Sequence, residues 1–360
     1  HNPAGSADAW EPYTVSLRLV NWIKFFLARQ RAGISVPEEW LFSLVQQGEW
    51  LNRNIEYHIR ANHLLKNLVA MLWFCTYLQS DARFSVWRDR YCDLLERELA
   101  EQFNADGGHY ERSPMYHAIC LEDCLDLLNL LRHAHVKHGC IARLETVIQR
   151  GLVFLQDVSF ADGKIALFGD SALHGAHGVE VLSAYWHRLN APGADQSLAS
   201  GTHFKHYPDS RFVVRSTAFY KIAISTGGVS PDYQPGHTHC DMGSFEIHTP
   251  QGRIFVDSGV SQYAPGPMRK YVRSSLAHNV VRVNGDEQHE LWGEFRVGAR
   301  GKISEMSIVN ADDISEIALR IQPHSAVRVT WCHTRIITLH PAAISILDRI
   351  EVPENSAVES

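Results

Sequence analysis

The spacing of hydrophobic residues changes near the middle of the chain. From Tyr13 to about Arg188 the apolar positions recur every three to four residues, as in amphipathic helices. Two of these stripes are Leu17, Val20, Trp22, Ile23, Phe26, Leu27 and Leu64, Leu65, Leu68, Met71, Leu72, Cys75. Further helices are predicted near 86–103, 117–138, 141–157 and 174–190, separated by short polar or glycine-bearing turns. The first half is therefore predicted to consist of antiparallel helices.

After Gly201 the apolar positions alternate with a period of two, which is typical of strands. Predicted strands are 212–215, 220–224, 244–248, 253–256 and 279–283, with at least two more within 334–352. Strands bounded by turns in this way favour an antiparallel β-sandwich. We predict an α+β chain with a helical domain over 1–200 and a sandwich over 201–360. A cleft at the junction of two such domains is the expected place for a site.

Composition limits the classes of function. The chain has 360 residues, of which 45% are hydrophobic and 21% charged, so it can bury two ordinary cores. Its net charge of −6 and its lack of a basic block argue against binding to nucleic acid. No apolar run approaches the roughly 18 residues of a membrane span, and no signal-peptide pattern is visible. The sequence gives no indication of oligomeric state.

The seven cysteines are scattered and form no CxxC pair, which favours free core thiols over a disulfide framework. Free thiols in odd number point to a reducing, cytoplasmic compartment.

A group of polar residues in the second half has the composition of a chemical site. His239, Asp257 and His278 lie in three separate strand-like segments, and His237 precedes His239 by two positions. Residues i and i+2 share a face of a strand, so His237 and His239 can serve adjacent volumes. Two imidazoles, one carboxylate and a water suit four-coordinate Zn²⁺. The alternative is that the three are hydrogen-bonded polar residues at strand ends.

Four separated motifs carry a resemblance to a known family. They are residues 60–67 (RANHLLKN), residues 106–117 (DGGHYERSPMYH), the region from His237 to His278, and residues 292–298 (WGEFRVG). In this order they resemble the heparinase II/III family of polysaccharide lyases. The resemblance implies an incomplete (α/α) toroid followed by an antiparallel β-sandwich, with an acidic polysaccharide held between them. It also implies β-elimination at a uronic acid, no organic cofactor, and a bacterial periplasmic or secreted location.

The chemistry of β-elimination assigns roles to these residues. Removing the C5 proton of a uronate requires donors that neutralise the neighbouring carboxylate, and Asn62 and His237 are suitable donors. A base must take the C5 proton and an acid must protonate the departing O4. Tyr116 is the first choice, because a Ser-Pro pair before it should fix the start of its helix. In resembling enzymes the matching tyrosine is the acid, or both the acid and the base, and the residue matching His237 assists or takes the proton.

The resemblance carries further site residues with it. His63, next to Asn62, is a catalytic candidate, and Tyr271 or Tyr263 would be the second catalytic tyrosine of some relatives. The expected substrate-binding residues are Glu111, Arg112, His117, Tyr263 and Arg273. The ion at His239, Asp257 and His278 would hold sandwich strands together without taking part in the elimination.

Two alternative functions stay open for this fold. Uronate C5-epimerisation needs the same proton removal, followed by reprotonation from the opposite face. A non-catalytic polysaccharide-binding or exopolysaccharide assembly protein could keep the fold. The identity of the polysaccharide and endo or exo action are open. The sandwich of relatives often continues beyond the point that corresponds to Ser360, so this is either a compact member or a chain lacking C-terminal strands.

Overall fold

The structure is a computed structural model, and it describes residues 3, 5–190, 201–311, 313–324, 326, 331–352 and 358–359. The α-helices within this range are α1 (Pro12–Arg31), α2 (Glu38–Arg53), α3 (Ala61–Tyr77), α4 (Ala82–Gln102), α5 (Pro114–His133), α6 (Cys140–Asp157), α7 (Val179–Leu189) and α8 (Pro267–Arg273). The strands are β1 (His203–Tyr207), β2 (Phe212–Ser216), β3 (Lys221–Ser225), β4 (Phe245–Thr249), β5 (Gly252–Phe255), β6 (Arg282–Val283), β7 (Leu291–Trp292), β8 (Arg296–Val297), β9 (Lys302–Ala311), β10 (Ile314–Gln322), β11 (Cys332–Leu339), β12 (Ile344–Glu351) and β13 (Val358–Glu359).

The chain forms two compact units that do not follow chain order. The first comprises His1–Phe103 and Cys120–Gln149, and the second Asn104–Ile119 and Arg150–Ser360. The change from helices to strands falls between the end of α7 and the start of β1. The predicted domain limits of 1–200 and 201–360 stay a prediction, since a division by compactness differs from one by secondary structure.

The first unit is organised around α3. Fifteen of its residues are buried, because the helix is apolar on all sides and α1, α2 and α4 pack against it. On α1 the inward positions Val15, Leu19, Ile23 and Phe26 recur at helical spacing. Burial of each such side chain is worth about 1.5–3 kcal/mol. None of the described helices is long and apolar enough to cross a bilayer.

The second unit contains two larger antiparallel sheets. One has the order β1-β2-β3-β4-β5 and the other β12-β11-β10-β9. Alternate residues of β10 and β11 point inward, so Ile317, Leu319, Ile321, Ile337 and Leu339 pack in one core with the inner face of the first sheet. Two short ribbons, β13-β6 and β7-β8, accompany them. The predicted antiparallel sandwich is confirmed.

The three segments expected to be strands at the site are not strands. Residues 235–241 form turns, residues 257–259 follow β5 as irregular backbone, and residues 275–277 form one turn of 3-10 helix. The strand prediction for these segments is wrong, because their polar side chains bond to one another and to loop backbone instead of a sheet neighbour.

Candidate active site

Tyr116 lies in the first turn of α5, within the second compact unit. Pro114 opens the helix, and the Ser113 hydroxyl accepts a hydrogen bond from the main-chain N–H of Tyr116 at 3.3 Å. Ser113 in turn donates to the main-chain oxygen of Asp170 at 2.8 Å. This N-terminal cap fixes the start of the helix, as predicted from the Ser-Pro pair, and therefore fixes the direction of the tyrosine.

Tyr116 contacts two of the predicted site residues. Its ring stacks on the imidazole of His237, with centroids 3.8 Å apart and planes inclined by 24°. Its hydroxyl donates a hydrogen bond to the hydroxyl of Tyr263 at 3.0 Å. The structure therefore brings together one imidazole and two phenols, which are groups that can exchange protons.

Asp170 is the anchor of this cluster, and the sequence prediction missed it. Its fully buried carboxylate lies 2.9 Å from His237 Nδ1 and 2.8 Å from His239 Nε2. Arg269 of α8, also buried, donates to both carboxylate oxygens, with Nη2 to Oδ2 at 2.9 Å. One carboxylate thus orients two histidines and one arginine, and it holds His237 against Tyr116.

The loop that carries Asp170 requires a glycine before it. Gly169 has a φ of +55°, and a Cβ there would lie 2.8 Å from the main-chain oxygen of His237. The same oxygen accepts a hydrogen bond from the N–H of Asp170 at 3.3 Å. A glycine at this position therefore permits the close approach that joins the two loops.

The charges around His237 favour its protonated form. Burial lowers the pKa of His237, but the nearby carboxylates of Glu111 and Asp170 outweigh burial and the net pKa is raised. Glu111 Oε1 lies 3.7 Å from His237 Nε2. Burial raises the pKa of Asp170, yet the donors around it bring that pKa well below its usual value. Asp170 and Glu111 therefore favour the protonated form of the imidazole that stacks on Tyr116.

Arg269, which binds Asp170, also contacts two aromatic rings. Its guanidinium lies 5.3 Å from the centroid of the Tyr263 ring and 5.2 Å from that of Phe295. The two rings are themselves stacked, with centroids 6.1 Å apart. Burial raises the pKa of Tyr263 and outweighs the opposite effect of its hydrogen bond from Tyr116. The second phenol is therefore held protonated by its surroundings.

The predicted metal ligands lie beside this cluster. Asp257 is buried, and its oxygens are 2.9 and 2.8 Å from His278 Nδ1. The rings of His239 and His278 are 5.2 Å apart. In the described part of the chain, His239, Asp257 and His278 do not bring one ligand atom each within 4.8 Å of one another. Both Asp257 oxygens instead face His278 Nδ1.

The second ring nitrogens of His239 and His278 bear on whether this group of residues can hold an ion. His239 Nδ1 and His278 Nε2 are buried and have no hydrogen-bond partner among the described residues. Each ring uses its other nitrogen on a carboxylate, Asp170 or Asp257, which is the way metal-binding histidines are oriented. Burial lowers the pKa of His239 to about 4, so this ring is neutral. A buried neutral imidazole with a free nitrogen is a suitable ligand.

Glu111 and Arg112, two of the predicted substrate-binding residues, have different kinds of partner. Glu111 is buried, and its second oxygen lies 3.5 Å from His109 Nδ1. Arg112, at a φ of +56°, donates to the main-chain oxygen of Gly228 at 3.1 Å. Glu111 therefore faces His237, and the Arg112 guanidinium is directed at backbone.

His117 and Arg273 are buried and bonded to main-chain groups of the second unit. His117 lies 2.9 Å from the Gly151 oxygen and accepts the N–H of His109. Burial lowers its pKa to about 4. The Arg273 guanidinium donates to three main-chain oxygens, those of Thr238, Gly293 and Arg296. The assignment of both residues to substrate binding stays a prediction.

Of the two candidate second tyrosines, Tyr263 contacts Tyr116. Tyr271 lies on α8 with 45% of its surface exposed, and its main-chain oxygen accepts hydrogen bonds from Ser274. The buried residues of α8 are Arg269, Val272 and Arg273, with the two arginines one turn apart.

Asn62 and His63 belong to the first compact unit, at the start of α3. Asn62 is buried, whereas His63 is part-exposed, lies 3.0 Å from Glu56 and makes a tilted ring contact with Tyr13. The two preceding residues, Arg60 and Ala61, have φ values of +63° and +52°. Consecutive left-handed residues other than glycine are strained, and strain of this kind concentrates at functional segments.

The fold defines a class of protein: a helical toroid and an antiparallel sandwich, with a cluster of Tyr116, Tyr263 and His237 around the buried Asp170. Family models agree with it over nearly the whole chain. The heparinase II/III N-terminus matches residues 1–189 and the heparinase II/III-like C-terminal region matches residues 199–360. The chain belongs to the heparinase II/III family.

The individual relatives have low sequence identity to this chain, but they align with most of its length. A heparin-sulfate lyase from Bacteroides stercoris is 24% identical over 298 residues, covering 77% of this chain and 44% of the relative. A second, from Pedobacter heparinus, is 24% identical over 313 residues, covering 79% and 46%. The crystal structure of heparinase III matches with a TM-score of 0.76 and 18% identity over 97% of this chain and 57% of that one. The predicted fold is confirmed, and this chain spans under half the length of the two curated relatives.

Proposed function

We propose that this chain carries the catalytic centre of a polysaccharide lyase that cleaves a uronic acid-containing polysaccharide by β-elimination. The observation that carries the proposal is the contact of Tyr116 with both His237 and Tyr263 above the buried Asp170. The two relatives named heparin-sulfate lyase support an acidic polysaccharide as substrate and make heparan-type chains the first to test.

In the proposed reaction Tyr116, in its deprotonated form, takes the C5 proton of the uronate. The electron pair left at C5 forms the C4=C5 double bond as the bond from C4 to O4 breaks. The same hydroxyl then returns its proton to O4, so atoms and charge balance. Tyr263 can reverse its hydrogen bond and donate to the Tyr116 oxygen, since a hydroxyl is both donor and acceptor.

His237 is assigned to the uronate carboxylate in this mechanism. Its raised pKa favours a cationic donor over a base, because Asp170 and Glu111 stabilise its positive charge. Such a donor stabilises the negative charge that builds up when the C5 proton leaves. Asn62, in the first compact unit, stays a catalytic candidate on the strength of its motif and the strained backbone before it.

Product analysis tests the function directly. A panel of uronic polysaccharides is incubated with the protein and the products are measured by mass and by ultraviolet absorbance. Elimination gives shorter chains with an absorbing unsaturated sugar at the new non-reducing end. Epimerisation instead places solvent deuterium at C5 without chain cleavage. A polysaccharide-binding protein gives binding without product, and its binding would not respond to Tyr116→Phe.

Asn62→Ala and His237→Ala are each expected to lower kcat more than they raise KM. The physical reason is that carboxylate neutralisation matters most when the enolate-like charge forms. Steady-state kinetics on the best substrate measure the division between kcat and KM. His63→Ala is the matched comparison in the same helical turn. Either variant raising KM with kcat unchanged would reduce that residue to a substrate-holding role.

We also propose that His239, Asp257 and His278 hold one structural zinc ion. The support is the pair of buried free nitrogens on His239 and His278, each on a ring oriented by a carboxylate. The ion would supply a cross-link between three loops of the second unit. The residues assigned to the elimination are different ones, so the ion is not needed for the proton transfers.

Removing this ion is expected to lower thermal stability more than it alters turnover. A ligand bound only by the folded state adds about 2.7 kcal/mol when its free concentration is a hundredfold above Kd. Thermal melts with and without chelator measure the effect, and elemental analysis should show that Asp257→Ala loses one equivalent of metal. An Asp257→Ala variant that melts like wild type and keeps its metal content would contradict this site.

A further inference from the structure

A second group of potential metal ligands lies within the first compact unit, whereas Tyr116, Asp170 and His237 belong to the second. Cys92 of α4, His138 and Cys140 place one ligand atom each within 4.8 Å of one another. Among the described residues no other such group of three or more is present. Both cysteines are buried and His138 is part-exposed. None of these residues has a role in the proposed elimination, so the two inferences are independent.

The two sulfurs lie close together. Cys92 Sγ and Cys140 Sγ are within 4.8 Å of one another. Cys140 is also the first residue of the 18-residue helix α6. The partial positive charge at a helix N-terminus favours a thiolate there. One sulfur of the pair is therefore prepared to act as a ligand.

His138 is oriented toward Cys140 by a carboxylate on its other side. Its Nε2 lies 3.2 Å from Asp93 Oδ1, and its Nδ1 accepts the main-chain N–H of Cys140 at 3.1 Å. The lone pair of Nδ1 thus points toward the residue that carries the second sulfur. A carboxylate behind the outer nitrogen is the usual support of a metal-binding histidine, and a metal would take the lone pair in place of the N–H.

A candidate fourth ligand, outside the group of three that share the 4.8 Å separation, comes from the same helix as Cys92. Glu96 follows Cys92 by four residues, so both lie on one face of α4. A Cβ at Gly139, the residue between His138 and Cys140, would stand 3.3 Å from Glu96 Oε2. The Glu96 carboxylate therefore reaches the loop that holds the other two ligands, and a glycine there leaves it room.

We propose that Cys92, His138, Cys140 and Glu96 form a binding site for a thiophilic divalent ion of the zinc type. Two sulfurs, one imidazole nitrogen and one carboxylate oxygen match the tetrahedral preference of Zn²⁺. Bonds of about 2.0–2.3 Å separate tetrahedral ligands by roughly 3.5 Å, so small side-chain movements complete the site. The ion would join α4 to the start of α6.

Cobalt substitution tests this site separately from the one at His239. Metal-depleted full-length protein is reconstituted with Co²⁺, and the absorption spectrum is recorded. A sulfur-to-cobalt charge-transfer band is expected, because His239, Asp257 and His278 contain no sulfur and cannot produce it. Cys92→Ala and Cys140→Ala should abolish the band. Cys75→Ala, a buried cysteine on α3, is the matched control and should keep it.

Two further variants keep the test decisive if a core cysteine change unfolds the protein. His138→Ala alters a part-exposed loop residue and should weaken or remove the band while circular dichroism stays native. Asp93→Asn should weaken cobalt binding about 10–100-fold in a chelator competition, the usual cost of losing such a support. A folded protein without the band, a band that survives Cys92→Ala, or a Cys92–Cys140 disulfide found by peptide mapping would each overturn the proposal.

Discussion

Tyr116→Phe is expected to lower kcat by about 10²-fold or more while leaving the fold intact, the usual scale for losing a general acid or base. The variant removes one hydroxyl, which in the structure donates a hydrogen bond to Tyr263, and keeps the ring that stacks on His237. Packing should therefore scarcely change. Steady-state kinetics on the best polysaccharide and a thermal melt measure both halves of this expectation.

Tyr271→Phe is the matched control for this prediction. It is the same substitution on α8 at a tyrosine that is 45% exposed, and its activity should stay near wild type. The kcat of Tyr263→Phe should lie between those of Tyr116→Phe and Tyr271→Phe, because it removes the hydrogen-bond partner of the Tyr116 hydroxyl and not that hydroxyl itself. Activity of Tyr116→Phe within a factor of about three of wild type would move the acid and base role to another residue.

Asp170→Asn is expected to be the most damaging single substitution in the second unit. It leaves the Arg269 guanidinium buried without its carboxylate and removes the charge that favours protonated His237. Breaking a buried ion pair costs about 3–5 kcal/mol. Turnover should also fall by about 10²-fold or more, because His237 loses its orientation against Tyr116. Chemical denaturation gives the stability change, and kinetics well below the melting temperature give turnover.

Asp162→Asn provides the comparison for Asp170→Asn. Asp162 also pairs with an arginine, Arg253 at 2.9 Å, but its side chain is 36% exposed. Exposed pairs are worth about 0–1 kcal/mol, so this variant should melt and turn over nearly as wild type does. Equal effects of the two substitutions would mean that Asp170 is an ordinary ion-pair residue and not the anchor of the site.

Local sequence patterns predicted much of the secondary structure and the inward-facing residues of the sheet. Strict alternation in β10 and β11 identifies their inward residues, because every second side chain of a strand faces the same side. The Ser113-Pro114 pair predicted the start of α5 through the chemistry of a helix cap. Tyr116 and His237, assigned by resemblance, are in contact. Their catalytic roles stay predictions.

The anchor of the site could not be predicted in the same way. Asp170 lies in a loop between α6 and α7, where no periodicity marks it, and its partners His237 and Arg269 lie far along the chain. Such a contact is created by tertiary structure alone. The alternation of His237 and His239 was misleading for the same reason: both side chains point to Asp170 from a turn, and not along one face of a strand.

The second unit is built from two separate segments of the chain, and this limits where a chimaera of this protein and a relative can be joined. Residues 104–119 and the loop of Asp170 precede the first strand, yet they belong to the same compact unit as the sandwich. A chimaera joined at residue 200 would take Tyr116 and Asp170 from one parent and His237 and Arg269 from the other. Exchange of activity between family members therefore requires the transfer of residues 104–119 and 150–190 along with the strands.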